Sequence, residues 1–320
     1  MSTIKQIEGQ IITDLQGKRI LVTGGAGFIG RHLVNRLVDM GNAVTIVDDL
    51  STGSLKNVHP KAGFHQNCTT DRGAITKIFE KVKPEYIFQL AANTNVPRSV
   101  EDPIYDFKTL HGALNVIDCC RDARVKKFIY ISSGFIYGNT GNRPIKETEP
   151  FIPLSPYGIT KKTVEHYLSF YKEVYSLEYV VIRPATIYGP GQHGGALADY
   201  VRKLSANQQA EMYGDGEKTR DYVFVSDAVD AFITIAEPLP YKFGPIFNLG
   251  TGIETTLNEL YATIGHILNK NPDPIYFPER SGELEKYSLD SSKLRQAYGW
   301  KPNVSLKDGL RLTLQHGGHI

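Results

Sequence analysis

The sequence has 320 residues, of which 22% are charged, and a formal net charge of only +2, with no long basic or acidic run. The length suits one large α/β domain or two smaller ones, and the charge balance favours neither a nucleic acid nor a membrane surface as a partner. No apolar segment approaches transmembrane length and residues 1–10 lack the apolar run of a signal peptide, so we expect a soluble cytoplasmic protein.

The first predicted strand and helix flank a glycine-rich turn. Residues 1–17 show weak periodicity, and we expect them to form an extension on the surface. An apolar run over 20–22 predicts a buried strand, and the apolar positions of 28–40 repeat as on one helix face. Glycines over 24–30 allow a sharp turn and close approach of the backbone to a diphosphate at the helix N-terminus. The alternative is a purely structural turn.

The second predicted strand, residues 44–47, ends at Asp48. An acidic side chain at this place in a βαβ unit is expected to accept hydrogen bonds from the adenosine ribose hydroxyls. The same charge repels a 2′-phosphate, which favours NAD over NADP. Asp49 and the loop 51–53 follow, so the alternative role of Asp48 is that of a turn residue.

Strands and helices continue to alternate up to about residue 182. Further strands are predicted over 86–90, 127–131 and 179–182, and further helices over 74–83, 102–123 and 156–175. This alternation predicts a Rossmann-type, doubly wound parallel sheet with right-handed crossovers, whose ligands bind outside the carboxyl ends of the strands. Two of the three cysteines, Cys119 and Cys120, fall in a predicted helix and are expected to be small core residues rather than metal ligands.

The pattern changes after about residue 184, where glycine, proline and short elements dominate. We predict a Rossmann domain over 18–183 and a smaller α/β substrate-binding portion over 184–320. Segments at about 220–250 are expected to return to the Rossmann domain. Helices are predicted over 227–236 and 257–268.

A tyrosine, a lysine and a serine form the candidate catalytic group. Tyr157 and Lys161 lie four residues apart, on one face of a helix that starts at Pro156. A lysine ammonium near the phenol is expected to lower the Tyr157 pKa, so that the phenolate acts as a general base. Ser133 ends a predicted strand, where its hydroxyl could bond to the reacting oxygen. The alternatives are an exposed amphipathic helix and a pair of serines that cap a strand.

These residues lie within a longer series of motifs: TGGAGFIG, VDDLSTG, LAA followed by VPRSVEDP, ISSGFIYG, YGITK, RPATIYGPGQ, GDGEKTRDYVFVSDAV, NLGTG, RSGE and YGWKP. From residue 18 to 312 the chain resembles the extended short-chain dehydrogenases/reductases of the NAD-dependent epimerase/dehydratase family, which act on nucleotide sugars. Within that family it is most similar to the UDP-glucose (UDP-galactose) 4-epimerases. The motifs are together specific for the family and much less specific for one reaction.

The resemblance implies an enzyme with NAD as cofactor and no metal, and it implies catalytic roles for Ser133, Tyr157 and Lys161. The cofactor-binding residues that it implies are Gly24, Gly27, Phe28, Ile29, Gly30, Asp48, Leu50, Ser51, Thr52, Gly53, Cys68, Thr69, Leu90, Ala91, Ala92, Thr94, Thr109, Tyr157, Lys161 and Pro184. The implied substrate-binding residues are Ser133, Phe135, Thr186, Arg220 and Arg280. A guanidinium fork suits diphosphate oxygens, although both arginines would otherwise be taken for solvated surface charges.

The implied reaction is a nucleotide-sugar 4-epimerisation in galactose metabolism, through a transient 4-keto sugar. Sugar 4,6-dehydratases of the family carry an Asp-Glu pair after the catalytic threonine, and here Gly134 and Phe135 occupy those positions. Other departures from the family pattern are Cys68, Gln89, Thr109 and Thr186, at which we expect altered contacts rather than loss of NAD binding.

Alternative functions remain open at this stage. One is another nucleotide-sugar-modifying enzyme: a UDP-glucuronate or UDP-N-acetylhexosamine 4-epimerase, a 4-reductase or a dehydratase. Another is a non-catalytic NAD-binding sensor. The resemblance also implies a homodimer that packs the helices 102–123 and 156–175 into a four-helix bundle. The apolar residues Ile117, Val164, Leu168 and Tyr171 are compatible with that bundle and equally with ordinary core packing.

Overall fold

A computed structural model describes residues 6–7, 10–11, 15–141, 143–240, 242–270 and 272–320. The strands are β1 (Gln6–Ile7), β2 (Gln10–Ile11), β3 (Arg19–Thr23), β4 (Ala43–Asp48), β5 (Gly63–Gln66), β6 (Tyr86–Gln89), β7 (Lys127–Ile131), β8 (Tyr179–Pro184), β9 (Thr186–Tyr188), β10 (Glu211–Tyr213), β11 (Thr219–Arg220), β12 (Tyr222–Phe224), β13 (Ile246–Leu249), β14 (Thr255–Thr256) and β15 (Ile275–Phe277). The α-helices are α1 (Phe28–Asp39), α2 (Arg72–Val82), α3 (Val96–Glu101), α4 (Phe107–Ala123), α5 (Pro156–Tyr175), α6 (Ala196–Ser205), α7 (Val225–Thr234), α8 (Leu257–Leu268), α9 (Ser292–Tyr298) and α10 (Leu306–His316). Short 3₁₀ turns occur at Leu55–Asn57 and Gly134–Tyr137.

Seven parallel strands form the central sheet, in the order β13-β8-β7-β6-β3-β4-β5. From β3 the sheet grows in one direction through β4 and β5, and in the other through β6, β7 and β8. The strand order therefore reverses between β3 and β6, and ligands of such sheets bind at the carboxyl ends on either side of that reversal. This arrangement confirms the predicted Rossmann-type α/β fold.

Local start signals explain where the predicted helix boundaries agree with the structure. Helix α5 begins at Pro156, and the Ser155 side chain accepts a hydrogen bond from the Gly158 backbone N–H at 3.3 Å. Helix α8 begins with a capping box between Thr256 and Glu259. Both helices have their predicted ends.

The single helix predicted over 102–123 is wrong in its first turn. The chain forms the separate helix α3, and α4 begins only at Phe107. Pro103 disfavours helical backbone at the residue before it, which explains the break at Asp102. Strand β5 was not predicted, because this edge strand is not buried and has no apolar run.

Apolar clusters cover both faces of the sheet. Helices α1, α7 and α9 pack on one face, and α2, α4 and α5 pack on the other. Leu15 is 1% exposed and belongs to the first cluster, so the predicted surface position of residues 1–17 is wrong for this residue. For 1–14 the burial lies outside what the structure describes. Cys119 and Cys120 are buried beside α2, as expected of small core residues.

The chain beyond residue 184 contributes to the sheet and also forms a third apolar cluster. Strand β13 pairs with β8, while β9 pairs with β12, β10 with β15, and β11 with β14. Helices α6, α8 and α10 pack together in the third cluster. Among the helices within the described residues, none combines the length and apolarity that crossing a bilayer requires.

Candidate active site

A cavity of about 1160 Å³ lies at the carboxyl ends of the central strands. Its wall combines the turn after β3, the ends of β4, β6, β7 and β8, and parts of the chain beyond residue 184. Ligand cavities usually measure roughly 300–1,000 Å³, so this one has room for a dinucleotide and a second molecule beside it. Within the part of the chain that the structure describes, no group of three or more His, Cys, Asp or Glu side chains is arranged to hold a metal ion.

The glycine-rich turn forms a tight cradle at the start of α1. A Cβ atom at Gly24 would lie 2.8 Å from the Ala91 backbone nitrogen, and one at Gly30 would overlap the Gly24 carbonyl oxygen. Gly24 also has a φ of +71°, in the region that favours glycine. Among the residues that the structure describes, no side chain caps α1 at Gly27, so the first N–H groups of this helix are available to an anion in the cavity.

Asp48 joins that cradle to the next loop. One carboxylate oxygen accepts a hydrogen bond from the Ala26 N–H at 2.9 Å, and the other accepts one from the Leu50 N–H at 2.8 Å. The side chain lines the cavity while it holds the turn, so the structure combines both roles considered for it. Leu50 and Gly53 are outside the cavity wall. They belong to the loop that supports it, and a Cβ at Gly53 would lie 3.0 Å from the Ala26 carbonyl oxygen.

The other residues expected at the cofactor line the cavity: Gly24, Gly27, Phe28, Ile29, Gly30, Ser51, Thr52, Cys68, Thr69, Leu90, Ala91, Ala92, Thr94, Thr109, Tyr157, Lys161 and Pro184. Sequence reasoning missed Lys108 and Asp49, whose side chains form an ion pair of 2.9 Å at the cavity wall. Burial alone would raise the Asp49 pKa, but hydrogen bonds from Ser51 and the Lys108 ammonium lower it to about 2. The signal for Lys108 was its place beside Thr109 on α4.

The three candidate catalytic residues meet in the cavity wall. Tyr157 and Lys161 come from the first turns of α5, and Ser133 follows β7 as the cap of a 3₁₀ turn. The Lys161 ammonium donates a hydrogen bond to the Ile131 carbonyl at 2.8 Å and lies 5.8 Å from the centre of the Tyr157 ring.

Burial dominates the protonation of this group in the chain alone. It raises the Tyr157 pKa to about 12, against a lowering by the Ser133 hydroxyl, and the Asp106 carboxylate raises it further. Burial also lowers the Lys161 pKa to about 8, although Asp106 and Glu165 act in the opposite direction. The expected lowering of the Tyr157 pKa is therefore not met by the chain alone, because the desolvation of the phenolate is the largest effect on that pKa.

Phe135 and Arg220 line the cavity next to Tyr157. The Phe135 ring meets Tyr157 edge to face with centroids 6.3 Å apart, and the Arg220 guanidinium carbon lies 6.0 Å from the Phe135 ring. Arg220 is fixed by hydrogen bonds to the carbonyls of Thr219 at 2.7 Å and Leu284 at 2.8 Å. The Arg220 guanidinium is therefore held in place in the cavity wall and is not a solvated surface charge.

Arg280 and Thr186 also line the cavity. Arg280 is exposed, and its guanidinium carbon lies 3.3 Å from the Tyr213 ring centroid. At the departures from the family pattern, Gln89 donates to the Ala91 carbonyl at 3.2 Å, and Thr109 accepts from the Asn93 N–H at 2.9 Å. Of these two residues, Thr109 belongs to the cavity wall and Gln89 lies outside it.

Comparison with known proteins agrees with this geometry. Residues 20–250 match the model of the NAD dependent epimerase/dehydratase family. The UDP-glucose 4-epimerase of Mycolicibacterium smegmatis is 39% identical over 308 residues, which cover 93% of this chain and 97% of that protein. The crystal structure of a UDP-glucose 4-epimerase from Thermotoga maritima with UDP-glucose has a TM-score of 0.90 and 40% identity, over 93% of this chain and 98% of that one. A Thermus thermophilus UDP-glucose 4-epimerase in complex with NAD has a TM-score of 0.88 and 35% identity over the same shares.

Proposed function

The chain belongs to the NAD-dependent epimerase/dehydratase family, and from that premise we propose that it is a nucleotide-sugar 4-epimerase of the UDP-glucose/UDP-galactose type. The reaction would invert C4 of the hexose through a transient 4-keto sugar. The observation that carries the proposal is the meeting of Ser133, Tyr157 and Lys161 in one cavity with the glycine cradle and Arg220.

The residues present fit an NAD molecule. The uncapped start of α1 and its glycine cradle suit the diphosphate, and the Asp48 carboxylate lines the cavity where an adenosine ribose would donate hydrogen bonds. When bound, NAD would supply the acceptor for the hydride of sugar C4 and, once reduced, the donor of the hydride that returns to the opposite face of C4. The chain orients it and supplies the acid and base.

The proposed roles of the catalytic residues follow from their positions. Tyr157 takes the proton of the C4 hydroxyl and gives it back after the sugar has turned its other face. Ser133 holds the same oxygen by a hydrogen bond, and its hydroxyl already lowers the Tyr157 pKa. Lys161, fixed to the Ile131 carbonyl, supplies positive charge next to the phenolate. Arg220 and Arg280 are proposed to hold the diphosphate of the substrate.

One structural observation favours epimerisation over dehydration. A Cβ atom at Gly134 would overlap the Tyr287 hydroxyl, so this position has no room for the aspartate found in 4,6-dehydratases. Phe135, at the next position, packs against Tyr157 and offers no carboxylate for elimination. The second candidate, a 4-reductase, would consume reduced cofactor, and a sensor would bind NAD without turnover.

The test is incubation of the protein with UDP-, dTDP-, GDP- and CDP-sugars, followed by identification of the products by NMR. We expect a UDP-hexose to reach equilibrium with its C4 epimer, with no net change in reduced-nicotinamide absorbance. A net change in that absorbance would favour the reductase. NAD binding without conversion of any sugar would favour the sensor.

We also propose a homodimer, a cytoplasmic location, a role in galactose metabolism, and the division into a Rossmann domain over 18–183 and a substrate-binding portion. Of the residues considered for the dimer, Ile117, Val164 and Leu168 are fully buried in the core of one subunit. The exposed faces of α4 and α5 instead carry other apolar side chains: Phe107 (63% exposed), Ile159 (52%), Phe170 (48%) and Val174 (56%). This shared face supports a helix-to-helix contact between two copies.

A further inference from the structure

A third side chain extends the row formed by Tyr157 and Lys161 on α5. Glu165 follows Lys161 by four residues, so the three side chains lie on one helix face, toward the end of β7. Glu165 is 3% exposed and is not part of the cavity wall. A buried carboxylate at the back of an active site needs partners, because a charge in this environment is costly when it is unpaired.

Every side of the Glu165 carboxylate is occupied. Its Oε1 atom accepts hydrogen bonds from the Ser132 hydroxyl at 2.7 Å and from the Arg183 Nε at 3.0 Å. Its Oε2 atom accepts from the Arg183 Nη2 at 2.6 Å and from the Lys162 ammonium at 3.2 Å. Burial would raise the Glu165 pKa, but Arg183 and Ser132 keep it below its usual value, so the group is ionised.

The same contacts fix the end of β7 just before Ser133. Lys161 binds the carbonyl of Ile131, and Glu165 binds the side chain of Ser132, so two consecutive residues are attached to α5. Ser133 comes next in the chain, and its hydroxyl interacts with Tyr157. Helix α5, which carries Tyr157, therefore also determines where the Ser133 hydroxyl contacts the Tyr157 phenol.

Arg183 extends this attachment to the neighbouring strands. It lies near the end of β8, is 1% exposed, and donates from Nη1 to the Tyr137 hydroxyl at 2.6 Å. The Tyr137 hydroxyl in turn donates to Asn248, on β13, at 2.7 Å. The ends of β7, β8 and β13 are thus joined to α5 through one buried carboxylate.

We propose that Glu165 is a positioning residue for the reaction. Through Ser132 it holds the Ser133 hydroxyl against Tyr157, and through Arg183 it keeps the ends of the strands in register with the catalytic helix. The inference rests on the proposed function for its kinetic readout, and its structural readout is independent of turnover.

The first test replaces Ser132 by alanine, which removes one hydrogen bond and leaves the Glu165–Arg183 ion pair intact. The matched control is Ser291→Ala, because Ser291 is also buried and hydrogen-bonded, to Gly250, but lies outside the cavity wall. We expect S132A to lower kcat about tenfold or more with little change in KM, since a small misplacement near the reacting atoms is costly. S291A should keep the kcat of the unaltered protein.

The pH profile separates positioning from general destabilisation. If Ser133 moves away, its lowering of the Tyr157 pKa is lost, so the acidic limb of kcat should shift to higher pH in S132A. The other titratable groups around Tyr157 stay in place: Lys161 on α5, Asp106 next to α4, Tyr130 on β7 and Tyr287. An unshifted limb in S132A would contradict the proposal.

A second pair of variants addresses Glu165 itself. Removing the Glu165 charge alone would leave Arg183 buried without its counter-charge, so the test uses the charge-neutral double variant Glu165→Leu/Arg183→Met, in which position 165 has no acceptor for the Ser132 hydroxyl. We expect it to show the same kinetic loss and the same limb shift as S132A. Adding S132A to it should cause little further loss, because both changes break the same connection. Losses that multiply would show that Ser132 acts without Glu165.

Hydrogen exchange provides the readout that does not need turnover. In the NAD-free protein, amides of residues 131–135 should exchange about tenfold faster in S132A and in the double variant than in S291A. Equal exchange in all variants would overturn the positioning role of Glu165. Faster exchange in a protein that converts no sugar would instead contradict only the proposed function.

Discussion

At the scale of single residues, the chemistry depends on how burial competes with charge around Tyr157. Burial raises its pKa to about 12 and lowers that of Lys161 to about 8, so the chain alone disfavours the phenolate. A positively charged nicotinamide ring next to the phenol would favour its ionised form. The base is therefore expected to form when cofactor and substrate are both bound.

The replacement Tyr157→Phe tests that base directly. We expect kcat to fall by about 10²–10⁴ while NAD binding persists, because general-base contributions have that size and the glycine cradle is untouched. Tyr167→Phe is the matched control, since Tyr167 is on the same helix but 40% exposed and outside the cavity wall. Both variants should be assayed for epimer formation and titrated with NAD. Full activity of Y157F would remove Tyr157 from the mechanism.

Asp48 supports a second prediction at this scale, because both its carboxylate oxygens accept backbone hydrogen bonds. In Asp48→Asn one of these donors would face an amide NH₂ group, which should cost about 1–3 kcal/mol of stability and weaken NAD binding about tenfold or more. Asp39→Asn is the control, since Asp39 is an exposed aspartate at the end of α1 and lies outside the cavity wall. Thermal unfolding and calorimetric NAD titration measure both effects. Equal losses in the two variants would refute the specific role of Asp48.

At the scale of elements, the sequence predicts those helices and strands that are defined by local signals such as helix caps and apolar runs. The limits of α5 and α8 follow from the caps at Ser155 and Thr256, and the buried strands β3, β6 and β7 from their apolar runs. Strand β5 has no such signal because it is an edge strand without an apolar run, and the short strands β9 and β12 form by pairing two segments that are far apart in the sequence.

The candidate site likewise contains residues that the sequence identifies and residues that only the folded structure reveals. Residues in the glycine turn and the Tyr157–Lys161 pair could be identified because motif spacing places them. Glu165 and Lys108 were missed, because their contacts with Arg183 and Asp49 form only in the folded chain. The sequence also could not predict how strongly burial raises the Tyr157 pKa, because motif spacing does not show how deeply a side chain is buried.

The start of α1 gives a prediction at the scale of elements. Gly30→Ala would place a methyl group on the Gly24 carbonyl oxygen, which cannot move without opening the cradle. We expect a loss of about 3 kcal/mol or more, or failure to fold, and loss of NAD binding. Gly73→Ala in the first turn of α2 is the control, because its Cβ would meet only the Asp71 side chain at 3.5 Å. Retained NAD affinity in G30A would contradict the proposed role of the glycine cradle in NAD binding.

At the scale of the whole molecule, the exposed apolar face of α4 and α5 predicts the assembly state. We expect sedimentation velocity at micromolar concentration to show a dimer, and Phe170→Glu to give a folded monomer because it places a charge on the apolar face proposed for the contact. Leu312→Glu on α10 is the control, since Leu312 is similarly exposed, at 46%, but lies on another helix. A monomeric parent protein, or dissociation by both variants, would contradict the proposed interface.

The pairing of β13 with β8 affects how the protein emerges during synthesis. The strand that completes the sheet is encoded about 60 residues after β8, an interval that takes roughly 3–12 s at typical elongation rates. During that interval the apolar strand Tyr179–Pro184 presents unsatisfied amides and carbonyls along an open border, a template for pairing between nascent chains. Newly made molecules are therefore most prone to aggregation before Ile246–Leu249 has left the ribosome, and a fragment that stops at residue 183 keeps that hazard permanently.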